Sequence, residues 1–130
     1  MTRPGFAMLV EAASKAVSYA AGRSRSDLND DELLRLALTK LVEIVGEAAK
    51  HVSSELRQAH PKVPWSAAAR MRDRLVHHYF DINLDVLWST VADDLPRLLE
   101  TIQDCLLHAG PALAAYEPGA ADSPMVDSSE

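Results

Sequence analysis

Over the first twenty positions, apolar residues recur at three- and four-residue steps: Phe6, Leu9, Val10, Ala13, Val17 and Ala20. That spacing is one face of a helix, and Gly22 just beyond it supplies a stop. The stretch Gly22 to Asp31 is polar and predicts a loop. A second, longer helix is expected from about Asp30 to Gln58, with its apolar stripe at Leu33, Ala37, Leu41, Ile44, Val45, Ala48, Val52 and Leu56. Pro61 and Pro64 end it, since a proline lacks the N–H that a helix interior needs. Ser66 is placed to cap a third helix reaching to about Phe80. Asp81 to Asn83 form a short polar break, after which Leu84, Leu87, Trp88, Val91, Leu95, Leu98, Ile102 and Cys105 resume a helical stripe. Pro96 interrupts this stripe, and Asp94 two residues earlier predicts a fresh start, giving two helices in line with a bend. No internal repeat or strand-like alternation is present. The expected fold class is all-α: an antiparallel helical bundle of four to five helices.

Composition agrees and adds a boundary. The chain has 130 residues, one domain's worth, and its 5% aromatic content argues against a sandwich or barrel. From Gly110 onward, Pro111, Pro118, Gly119 and Pro124 sit among small and acidic residues. Residues 1–109 are therefore expected to form the helical domain and residues 110–130 a disordered acidic tail. The lone Cys105 excludes an internal disulfide framework and favours a reducing, cytoplasmic setting. The apolar run Phe6 to Val10 is cut by Glu11 and Lys15, short of a signal-peptide core. No stretch approaches the length of a membrane span, so no membrane association is expected. Gly46, inside the long helix, sacrifices up to about 1 kcal/mol relative to Ala, which predicts close approach of another helix there.

Charge changes the picture locally. The formal net charge is −6, which taken globally argues against a nucleic-acid binder. The last 21 residues, however, hold Glu117, Asp122, Asp127 and Glu130 with no Lys or Arg, so residues 1–109 carry only −2. Within that body Arg70, Arg72 and Arg74 fall in five positions, next to His77 and His78. Three cations, two imidazoles and the Tyr79 phenol exceed what a bundle needs for packing. At about 100° per residue, Arg72 and Tyr79 share a stripe two turns apart, whereas His77 lies about 140° away from Arg72. Either the helix loosens around His77 or a second subunit completes the site, the latter implying a two-fold homodimer.

An Arg beside a His is also the minimal equipment for cutting a phosphodiester without metal. An imidazole can move the 2′-hydroxyl or leaving-group proton near neutral pH. A guanidinium can fork the non-bridging oxygens as charge builds up. The acidic residues are not grouped at metal-ligand spacing, so no metal site is expected. The plainer readings are a solvated Arg/His face, packing roles for Trp65 and Trp88, and surface patterning for Lys40, Glu43, Glu47 and Lys50.

Arg72, four residues, His77, one residue, then Tyr79 resembles the R-x4-H-x-Y signature of HepT-like toxins, in the HEPN superfamily of helical ribonucleases. Further blocks resemble that family in order: Ile44-Val45-Gly46-Glu47-Ala48, Val63-Pro64-Trp65, Asp85-Val86-Leu87-Trp88 and Asp94-Leu95-Pro96. The resemblance covers about residues 5–108, and Arg70 stands where the family carries a small residue. It implies a HEPN-like helical fold, usually homodimeric, and a metal-independent endoribonuclease acting as the toxin of a type VII toxin–antitoxin system. It implies that Arg72 and His77 are catalytic, with Arg70, Asp73, Arg74 and His78 supporting the site or binding RNA. Tyr79 falls on the tyrosine to which an MntA-like nucleotidyltransferase antitoxin transfers AMP. The ATP and Mg²⁺ of that transfer belong to the antitoxin, so this chain is expected to need no cofactor. The rival reading is a non-catalytic helical module that docks on the nucleotidyltransferase and serves as its substrate.

Overall fold

The computed structural model describes residues 5–78 and 81–108; the side chains of residues 76–78, 81 and 108, and everything from residue 109, lie outside that description. The expected tail and Tyr79 are therefore outside it too.

The scaffold is an all-α bundle. Helix α1 (Gly5–Ala20) packs along α3 (Glu32–Lys50), with the short α2 (Asp27–Asp30) between them. A Cβ on Gly5 would meet the Ala48 carbonyl at 2.7 Å and the His51 carbonyl carbon at 2.8 Å, so the start of α1 abuts the end of α3. The pair is antiparallel, as expected. Gly22 adopts φ +75°, the left-handed conformation that lets the chain turn out of α1. After α4 (Ser54–Ala59) come α5 (Trp65–Ala69) and α6 (Met71–Leu75), then α7 (Leu84–Ser89), a π-helical turn (Thr90–Asp94) and α8 (Leu95–His108). Phe6, Leu9, Leu28, Leu38, Val42, Val45, Leu75, Leu87, Val91, Leu95 and Ile102 meet in one core, each at most 2% exposed.

Several boundaries differ from the expectation, each for a local reason. The second helix is divided: α3 stops at Lys50, and the Ser53 hydroxyl accepts the Leu56 N–H at 3.1 Å to start α4. Of the expected stripe Val45, Ala48, Val52 and Leu56 are buried, but over the first half of α3 the buried positions are Leu34, Leu38 and Val42, one residue on from Leu33, Ala37 and Leu41. Leu33 is 80% exposed. The third helix begins at Trp65 rather than behind a Ser66 cap: the Trp65 N–H closes on the Val63 carbonyl at 2.8 Å. It also ends at Leu75. Val76–His78 form a strand, β1, paired antiparallel with β2 (Asp81–Ile82), in agreement with the β-branched and aromatic content of this stretch. A new α-helical segment, α8, does start directly after Asp94 with Pro96 in its first turn, as expected, but it follows a π-turn rather than a break: the Leu95 N–H reaches back five residues to the Thr90 carbonyl.

A polar knot fastens the α1–α3 junction. Arg23 bonds Asp31 at 2.7 Å and Asp27 at 3.3 Å, while Asp31 caps α3 by accepting the Leu34 N–H at 3.0 Å. Arg25 reaches Asp85 at the start of α7, at 2.7 Å. The Arg23 bond, then the Leu34 N–H, hold the Asp31 carboxyl below the usual range; the Ser24 N–H, then Arg23, do so for Asp27. A depressed carboxylate contributes stability that is present above the ordinary value near pH 4 and lost as pH falls through the folded value. Asp31→Ala should therefore lower Tm at neutral pH and flatten its fall below about pH 4, read by circular dichroism melts across pH.

Candidate active site

The candidate catalytic segment is held by the turn before it. The Trp65 indole donates from Nε1 to the His60 carbonyl at 2.9 Å and packs edge-on against Phe6, with ring centroids 6.5 Å apart. Small residues Ala67, Ala68 and Ala69 then let α5 lie close against α3 at Gly46. A Cβ on Gly46 would sit 3.3 Å from the Ala69 carbonyl oxygen and 3.6 Å from the Arg72 Cβ. The expected close approach is thus real, and it falls beside the arginine of interest.

Arg70, with φ −97° and ψ 3°, joins α5 to α6 and is exposed. On α6, Met71 and Leu75 are buried one turn apart, while Arg72, Asp73 and Arg74 face outward. Two positions on a helix differ by about 200°, so Arg72 and Arg74 point to opposite sides of α6. Arg72 lines a cleft of about 400 Å³ against α3, with Lys40, Glu43, Ile44 and Glu47. Of the carboxylates there, Glu43 lies 4.0 Å from Lys40 in the same lining, and Glu47 bonds His51 at 3.1 Å. Arg72 has no hydrogen-bond or ion-pair partner among the described residues. Arg74 lies toward the other side, where its Nη1 is 3.4 Å from Asp94 Oδ2.

Among the described side chains, those of Arg70, Arg72, Asp73 and Arg74 are therefore not brought to one point. Arg72 and Arg74 occupy separate clefts, Arg70 and Asp73 are solvent-facing, and His77 and His78 belong to β1, just past the end of α6. The side chains of His77 and His78 lie outside the described residues. Among the described residues no group of three or more His, Cys, Asp or Glu side chains could hold a metal ion. No helix among them is long and apolar enough to cross a membrane. The α3 wall of the cleft was hidden in the sequence, where Lys40, Glu43 and Glu47 read as ordinary surface pairs; Gly46 was the signal that something packs there.

Residues 9–105 match the family described as Ribonuclease HepT-like. The chain belongs to this family. Its HepT-like domain covers α1 through nearly all of α8, so the whole described bundle is the HEPN fold. A candidate RNase of Caldanaerobacter subterraneus subsp. tengcongensis is 34% identical over 104 residues, covering 80% of this chain and 93% of its own. A candidate ribonuclease HepT of Thermococcus cleftensis is 43% identical over 68 residues, 52% of this chain and 62% of its own. A candidate RNase of Methanocaldococcus jannaschii is 34% identical over 86 residues, 62% of this chain and 71% of its own. No solved structure matches the chain. In this HepT-like chain, the cleft of α3 and α6 presents Arg72, the first residue of the R-x4-H-x-Y segment, to solvent.

Proposed function

We propose that the chain is a metal-independent endoribonuclease, the toxin of a type VII toxin–antitoxin pair, working in the cytoplasm as a homodimer. The observation that carries this reading is Arg72: an exposed guanidinium in a cleft, unpaired among the described residues, five positions before His77 in a HepT-like domain. Family membership makes RNA the substrate class. With no carboxylate partner among the described residues, the Arg72 guanidinium has its planar fork available for phosphate oxygens.

The chemistry follows from those two groups. His77 takes the 2′-hydroxyl proton, the oxygen attacks the adjacent phosphorus, and the 5′-oxygen leaves with a proton supplied by a second acid. Arg72 holds the non-bridging oxygens as negative charge accumulates. The products are a 2′,3′-cyclic phosphate and a 5′-hydroxyl end. The end of α6 at Leu75 supports the pairing, because it releases His77 from the 140° offset that a continuous helix imposes. A second protomer can bring its own His77 or supply the second acid.

Control is assigned to Tyr79. A cognate MntA-like nucleotidyltransferase, using its own ATP and Mg²⁺, transfers AMP to the phenol. The added phosphate then competes with RNA for Arg72 and repels the RNA backbone. Expression without the partner should arrest growth and yield RNA fragments with cyclic phosphate ends; co-expression should suppress both. If the chain alone is harmless and cuts no RNA, it is the docking module instead. Tyr79→Phe should carry no AMP after incubation with the nucleotidyltransferase and ATP, read as the missing mass of one or more AMP groups, and should escape neutralisation.

A further inference from the structure

The cations of this acidic chain gather at a second place. Lys62 from the turn before α5, Arg74 from α6 and Arg97 from α8 converge on a cleft of about 380 Å³ floored by Met71 and Leu98. Asp94 is the carboxylate in its lining, and it approaches Arg74 alone, at 3.4 Å. Lys62 and Arg97 are exposed and without an ion-pair partner among the described residues. Three positive groups around one carboxylate, on a chain of net charge −6, form a local positive basin.

We infer that this cleft is a subsite for the phosphates of the RNA strand beyond the scissile one, an inference that rests on the ribonuclease reading. Continuity favours RNA over an acidic protein surface. Arg72 and Arg74 flank the same five-residue helix, so the two clefts lie one helix diameter apart, about 10 Å, which a few nucleotides span. Lys62, Arg74 and Arg97 take successive phosphates, and the apolar floor takes a ribose or base face. Asp94 tempers the site by neutralising part of the Arg74 charge.

The test measures binding of a labelled single-stranded oligoribonucleotide to the full chain carrying His77→Ala, by anisotropy at several salt concentrations. Each lost phosphate contact on a single strand lowers the slope of log K against log salt by about 0.7, so Lys62→Ala with Arg97→Ala should lower it by about 1.4. If the affinities converge near 1 M salt, the double variant binds about 25-fold more weakly at about 0.1 M. Asp94→Asn should bind more tightly than its parent, a gain that misfolding cannot produce. An unchanged slope and affinity in the double variant, while the unsubstituted chain cuts RNA, overturns this inference alone. A chain that neither binds nor cuts RNA overturns the ribonuclease reading, and this inference with it.

Discussion

Replacing His77 with alanine should abolish growth arrest and lower RNA cleavage by about 10²- to 10⁴-fold, the usual contribution of a positioned general base. Arg72→Lys is the sharper companion, because it keeps the positive charge while removing the planar fork. If Arg72 only attracted RNA, lysine would serve nearly as well. If it clamps the transition state, lysine should lose about 10²-fold or more in turnover with little change in RNA affinity. Structure makes this variant clean: Arg72 is exposed and holds no hydrogen-bond or ion-pair partner among the described residues, so none of their polar contacts is lost. Surface changes of that kind usually stay within about 0.5 kcal/mol, and Tm should not move. The same assays report the ends of the fragments and their persistence in chelator, as metal-independent attack by the 2′-hydroxyl requires. A fully toxic His77→Ala chain, or an Arg72→Lys chain with normal turnover, defeats the assignment.

Legibility from sequence followed how much of each helix is apolar. The last stripe, Leu87, Val91, Leu95, Leu98 and Ile102, was readable because polar residues flank it on both sides, and all five are buried. In α3 the run Leu33-Leu34 through Val45 is apolar around more than half the circumference, so two stripes one residue apart fit the period equally. Only packing against α1 and α5 selects Leu34, Leu38 and Val42, leaving Leu33 and Leu36 outside. The helix end at Leu75 was obscured because Val76 to Phe80 hold no Gly or Pro, and the strand depends on pairing with Asp81 and Ile82. At the site, the Arg/His segment was visible as composition. Its division was not: that Arg72 faces α3 while Arg74 faces Asp94 follows from burial of Met71 and Leu75, which orients α6.

That orientation makes Gly46 the position where stability and activity can be separated. A methyl there would lie 3.3 Å from the Ala69 carbonyl and 3.6 Å from the Ala68 carbonyl, so α5 must yield by a few tenths of an ångström. Against that strain, Gly46→Ala gains up to about 1 kcal/mol of helix propensity, and the two effects should nearly cancel in Tm. Gly46→Leu has no such balance. Its side chain extends past the methyl into the backbone of α5 and the Cβ of Arg72, and α5–α6 must move outward as a unit. Overpacking of this kind destabilises by about 1–3 kcal/mol, a fall of roughly 5–15 °C in a chain this size. The larger effect is on catalysis, since Arg72 travels with α6, and a displacement of about 1 Å at a clamp can lose 10²-fold. Assayed well below its Tm, with helical circular dichroism intact, the leucine variant should cut RNA about 10²-fold more slowly while the alanine variant stays within tenfold. Equal rates in all three chains would mean that the α3–α6 cleft does not set the position of the working guanidinium.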